Sequence, residues 1–171
     1  MKKQLLTLMI LPLIASCGFE PMHGTAFKSD NAQSVYLKSE LAQIEIANIP
    51  DREGQFLRNA LIDSFYRDGR PANPSYVLEV RPIIDNTYDL DVTIRSDATR
   101  QQLTLTTAMA FKDKLTGETL MTRELKSSGS FNVLASEFAT RVSEQNTREN
   151  ALKDLARQIE LQIGLYLKRG E

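Results

Sequence analysis

The sequence predicts an α+β two-layer sandwich, a four-stranded sheet with two helices on one face, in the order β-α-β-β-β-α. Three observations lead there. Residues 102–111 alternate large, mostly apolar side chains with small or polar ones, two other segments repeat apolar residues every three or four positions, and each segment has a single apolar face to bury.

Residues 41–49 alternate Ile44 and Ile46 with polar neighbours and stop at Pro50, as a first strand does. Asp51 stands where a carboxylate caps a helix, and Phe56, Leu57, Ala60, Leu61 and Phe65 follow at helical spacing, with Gly69 as the stop. After the loop "RPANP", residues 76–84 form a second strand with Val77 and Glu79 on one face. Pro82 marks an edge or a bulge there, because it has no N–H for a ladder. The third strand, residues 99–112, puts Leu103, Leu105, Thr107, Met109 and Phe111 on one face and Gln102, Thr104, Thr106, Ala108 and Ala110 on the other.

Residues 113–118, "DKLTGE", make a turn, and residues 119–131 return as a fourth strand paired with the third. A long helix from Ser136 to about Lys168 carries Phe138, Val142, Leu152, Leu155, Ala156, Ile159, Ile163 and Tyr166 on one face. Glu137/Arg141, Glu144/Arg148 and Glu149/Lys153 are acid-before-base pairs on this helix, each worth about 0.2 to 0.5 kcal/mol. The second face of the sheet holds Thr, Gln and Ser; it is either wet or covered by another protein.

The N-terminus reads differently. Lys2 and Lys3 precede about ten apolar residues broken by Pro12, too few to cross a hydrocarbon core as a helix, and the run ends in Ile14-Ala15-Ser16-Cys17. Small residues before a cysteine are what a lipoprotein signal needs, so Cys17 is the expected lipidation site, and several fatty chains on it make a stable anchor. Residues 1–16 are then a signal peptide, 17–34 a lipidated tether, and 35–171 a single domain. Gly18 follows the cysteine; among proteobacterial lipoproteins an aspartate there often signals retention in the inner membrane, so by that sorting rule the outer membrane is the expected destination.

Composition narrows the chemistry. A formal net charge of −1 and a pI near 5.9 argue against nucleic acid as a partner. With the single cysteine on lipid, neither a disulfide nor a cysteine-based metal site can form within the domain. The single histidine, His23, lies in the tether, so a Ser-His-acid arrangement lacks its base, and Gly69, Gly117 and Gly129 are too isolated to cradle a phosphate. No catalytic residue, metal or cofactor is expected. Asp89 and Asp91 fall on one side if "YDLDVT" is extended, as a weak cation site or an acid/base pair; the plainer reading is a solvated loop. Arg95 and Arg100, between the second and third strands, and Lys112 and Lys114, at the hairpin turn, are candidates for contact with a phosphorylated glycolipid, or plain surface charges.

"CGFEPMHG" after the box, "REGQFLRNALID" on the first helix and "NALKDLARQIELQIGLYL" near the end together resemble the LPS-assembly lipoprotein family LptE, in its alphaproteobacterial branch. His23 stands where that branch usually has tyrosine. The resemblance implies a non-enzymatic lipoprotein anchored on the periplasmic side of the outer membrane that works with the large β-barrel LptD as plug and folding partner and assists lipopolysaccharide delivery, with lipopolysaccharide as a further partner. A wet barrel lumen suits a plug with a polar sheet face. Two other classes stand beside it: a freestanding periplasmic carrier, which needs a deep apolar cavity, and an envelope hydrolase, which needs converging carboxylates.

Overall fold

A computed structural model describes residues 39–66, 69–92 and 98–169, with the backbone alone for 91, 92 and 98. The expected signal peptide, the tether with Cys17 and His23, and Arg95 lie outside the described residues. In chain order the elements are β1 (Ile44–Ile46), α1 (Asp51–Phe65), β2 (Tyr76–Val80), β3 (Ile84–Val92), β4 (Ala98–Asp113), β5 (Thr119–Asn132) and α2 (Glu137–Arg169). The fold is α+β with a mixed five-stranded sheet: β1 runs parallel to β2, and β2, β3 and β5 are all antiparallel to β4.

The strand count corrects the expected four, and the cause is a single extra residue. β2 pairs with one end of β4 (Val80 opposite Met109) and β3 with the other (Ile84 opposite Thr106), so both share one lane beside β4. Four steps on one side match three on the other, which is a bulge, and it falls at Arg81-Pro82-Ile83. The junction stays tied to β4, since Arg81 N–H donates to the Ala108 carbonyl at 2.8 Å and Thr107 Oγ1 donates to the Arg81 carbonyl at 2.7 Å. Because side chains alternate with period two, the extra residue reverses the faces: Leu78 and Val80 are buried, whereas Ile84 lies exposed. Pro82 therefore marks a bulge, as expected of it.

Leu57 and Leu61 of α1, Leu78 of β2, Leu103, Leu105 and Phe111 of β4, and Leu155, Ile159 and Ile163 of α2 are fully buried between the sheet and the helices. Each such side chain contributes about 1.5 to 3 kcal/mol on burial. Arg148 meets Glu53 and Glu160 meets Ser64, so the ends of the helices correspond and α1 and α2 run parallel. Tyr76, Phe111 and Tyr166 join β2, β4 and α2 near the hairpin turn, with ring centroids 4.9 and 5.7 Å apart.

Three local readings change. Asp51 does not cap α1 through its side chain; Pro50 is the N-cap residue, and Asp51 itself takes a left-handed φ of 68°. The entering loop is instead held by Gln55, whose amide donates to the Ile49 carbonyl at 2.9 Å and to Asn48 at 3.2 Å. Phe138 and Val142 have the right spacing on α2 but lie beyond the core, with Phe138 78% exposed. Of the three expected ion pairs on α2, Glu137/Arg141 and Glu144/Arg148 form, while Glu149 accepts from Gln145 instead. Gly69 follows α1 with φ 113°, the stop its position predicts.

Candidate interaction surface

The register puts Thr104, Thr106, Ala108, Ala110 and Lys112 of β4 on the face away from the helices, beside Glu79 of β2 and Glu124, Lys126 and Ser128 of β5. This open face is mainly polar and internally paired, with Ile84 and Tyr88 of β3 exposed on it: Thr104 and Ser128 share a hydroxyl hydrogen bond of 3.1 Å, and Lys112 Nζ lies 2.6 Å from Glu79 Oε2. Lys114 reaches Glu45 on β1 at the same distance. Both lysines thus neutralise carboxylates at the hairpin end, and an anionic ligand would have to displace those partners. The turn between them is set by Asp113, which accepts from the N–H groups of Leu115 and Thr116 and from the Thr116 hydroxyl. These bonds, the Thr116 N–H foremost, hold the Asp113 carboxyl below its ordinary value.

Arg100 sits elsewhere. It lies near the opposite end of β4, about 40 Å from Lys112 at the rise of an extended strand. Its guanidinium donates to Ser130 Oγ at 2.7 Å, and among the described residues no carboxylate pairs with it. The fold therefore does not gather Arg100 with Lys112 and Lys114. Asp89 and Asp91 belong to β3 and not to a loop, and a bulge separates them in the register, so the simple alternation that would align them is broken. Asp89 accepts a hydrogen bond from Gln101 at 2.8 Å. Among the described residues no cluster of three or more His, Cys, Asp or Glu has the arrangement to hold a metal ion.

Two polar arrangements on the helix side carry more of the architecture. Arg148 of α2, 14% exposed, donates to Asp85 of β3 at 2.6 Å and to Glu144 at 2.8 Å, and lies 3.8 Å from Glu53 of α1. Burial alone would lower its pKa, but the hydrogen bonds to Asp85 and Glu144 outweigh it and raise the value, so the cation is secured. Asp154 accepts from Gln158 at 2.8 Å, Ser127 at 2.9 Å and Arg157 at 3.3 Å. Its carboxyl is held below the ordinary range, chiefly by Gln158. Glu144/Arg148 was readable from helical spacing, whereas Asp85, Glu53 and Ser127 come from other elements and left no local signal.

The surface has open grooves. One of about 810 Å³ is lined by Arg52 of α1 and by Phe138, Arg141, Val142 and Glu149 of α2. Another of about 450 Å³ runs between β5 and α2. None of the described helices is long and apolar enough to cross a membrane.

The family model described as LptE, lipopolysaccharide-assembly, matches residues 41–163, well over half of the chain. The chain belongs to the LptE family. Solved structures agree on the fold. A lipoprotein from Caulobacter crescentus CB15 is 20% identical to this LptE-family chain, covers 78% of it and 97% of itself, and gives a TM-score of 0.62. A minor lipoprotein from Acinetobacter baumannii, 21% identical, covers 72% of this chain and 92% of its own, with a TM-score of 0.55. Rare lipoprotein B from Shewanella oneidensis, 10% identical, covers 74% and 95%, with a TM-score of 0.56. No curated protein matches the LptE-family chain in sequence.

Proposed function

We propose that this LptE-family protein is a non-enzymatic, lipid-anchored protein of the outer membrane, held through Cys17, that acts with a large LptD-like β-barrel in lipopolysaccharide assembly as its plug and folding partner. The observation that carries the reading beyond family membership is the contrast between the two sides of the sheet. One side meets helices across a core filled by Leu, Ile and Phe, and the other presents mainly hydroxyls and paired charges, with Ile84 and Tyr88 exposed along β3. A filled interior suits a plug better than a lipid carrier, and a polar face suits a wet lumen. Affinity purification of the tagged protein from detergent-extracted outer membranes should recover a stoichiometric large β-barrel. Recovery of the lipoprotein alone would refute the reading.

Arg95, Arg100, Lys112 and Lys114 remain the candidates for direct lipopolysaccharide contact, and Lys112 and Lys114 would first have to leave their carboxylate partners. Replacing all four by Ser should weaken lipopolysaccharide binding by the purified protein, and unchanged binding would remove them from the site.

A further inference from the structure

The sheet has three edges, and the protein treats them differently. The outer edge of β1 is covered from α1: the Tyr66 hydroxyl donates to the Ile44 carbonyl at 2.7 Å and accepts from Ile46 N–H at 3.2 Å, while Arg58 donates to the carbonyls of Ile46 and Ala47. β3 is blunted by register shifts after Asp89 and by the carboxylates of Asp85 and Asp89, devices that discourage pairing with another chain. β5 has neither. Its register with β4 is unbroken from Met121 to Asn132.

Val133 N–H donates to the Thr99 carbonyl, which fixes the phase of the antiparallel ladder: odd-numbered residues of β5 aim their main-chain groups at β4, and even-numbered ones aim theirs outward. Two outward carbonyls are covered, that of Thr122 by Arg123 at 2.9 Å and that of Lys126 by Gln158 at 3.1 Å. The outward main-chain groups of Ser128 and Ser130 have no partner among the described residues, and both residues are exposed. Beside them runs the groove of about 450 Å³, closed on the other side by Thr147, Asn150 and Asp154 of α2. A row of outward N–H and C=O groups at strand spacing is matched by another extended backbone.

We propose that residues 128–132 of β5 take up, by main-chain hydrogen bonding, one extended segment of the β-barrel partner; the identity of that partner rests on the function proposed above. A second copy of this chain does not fit. A Cβ on Gly129 would lie 2.6 Å from Thr147 Cγ2, so α2 passes directly over β5. Pairing two β5 edges would put two such helices about 4.8 Å apart, where packed helices need about 8 to 10 Å. The incoming strand must therefore arrive without a covering helix, as a loop or hairpin of a barrel protein can, and its side chains on the groove side meet polar groups.

The test uses the full-length lipidated protein and its barrel partner. Ser130→Pro removes one outward N–H while leaving the bonds to β4 in place, and Ser130→Ala keeps that N–H while removing the hydroxyl that Arg100 uses. Barrel recovered from urea-washed outer membranes should fall roughly tenfold with Ser130→Pro and match wild type with Ser130→Ala. Hydrogen exchange should show the Ser128 and Ser130 amides protected in the complex and not in the lipoprotein alone, a measurement that decides the matter even if the proline variant misfolds. Wild-type barrel recovery by both variants, or unprotected amides in the complex, would overturn the strand-addition site while leaving the partnership intact. Absence of any barrel with the wild-type protein would overturn the partnership itself.

Discussion

Replacing Arg148 by Met keeps an apolar stem but removes the cation that ties α1, α2 and β3 together. Every residue of β3 from Ile84 to Leu90 is exposed, so this strand depends on β4 pairing and on the Asp85–Arg148 bond. Two unit charges about 4 Å apart attract by about 4 kcal/mol at the effective dielectric near a protein surface. Desolvation of Arg148 and fixing of its side chain offset much of that. The side chains of Asp85 and Glu144 are 53% and 36% exposed, which moves the pair toward the 0.2 to 1 kcal/mol typical of surface pairs. Arg148 at 14% exposure moves it the other way, toward the ~3 to 5 kcal/mol lost when a buried pair is broken. The expected cost of Arg148→Met is therefore about 2 kcal/mol, with a coupling to Asp85 of about 1 kcal/mol in a cycle with Asp85→Asn. Urea denaturation of the four proteins measures both quantities, and repeating it near 1 M salt should shrink the coupling by screening. Amide exchange in β3 should also quicken in the variant. A coupling below about 0.3 kcal/mol, or a variant as stable as wild type, would show that apolar packing alone docks the helices and that the ion cluster is ornamental.

Other expected outcomes can be checked on the same footing. Gly54→Ala should destabilise by about 1 to 2 kcal/mol in urea, because a Cβ there would lie 2.7 Å from Ile49 Cγ2 and 3.0 Å from its backbone; overpacking outweighs the better helix propensity of Ala. Leu155→Ala, in the fully buried centre of α2, should cost about 2 to 5 kcal/mol by thermal or chemical melting. Asp154 has a depressed folded pKa, so its stabilisation is present above the ordinary carboxylate pKa and is lost as pH falls through the folded value. Wild type should thus exceed Asp154→Asn by less than about 1 kcal/mol at pH 7, given the partial exposure of the group, and the gap should close on acidification below about pH 4. A gap that widened on acidification would contradict the assignment.

Several elements were legible in the residues because their information is local. The alternation of Leu103 to Phe111 marks β4 whatever it pairs with, "DKLTGE" carries its own turn chemistry, and Leu152 to Ile163 trace the buried stripe of α2. The same periodicity misled at Phe138 and Val142, which keep the spacing of the stripe but lie exposed among the described residues. At residues 81–83 it failed for a different reason. The bulge reverses the inward and outward positions, so Ile84, Tyr88 and Leu90 read as a weak continuation or a loop rather than as β3. Of the candidate cations, chain position suggested a neighbourhood for Arg100, Lys112 and Lys114, yet position along a strand translates into distance, and the strand here is long.

What the sequence alone determined is the family, through its motifs and the match over residues 41–163, and the α+β class, the hairpin and the apolar stripes that build the core, which follow from periodicity and turn chemistry within a few residues. Only the tertiary structure decided which strands share a lane, that Arg148 joins Glu53 and Asp85, that Tyr66 and Arg58 cover one edge, and that among the described residues nothing pairs with the outward main-chain groups of Ser128 and Ser130. Those features depend on register and on where a helix lies across a sheet. They arise from contacts between residues tens of positions apart, which side-chain periodicity in one segment does not encode.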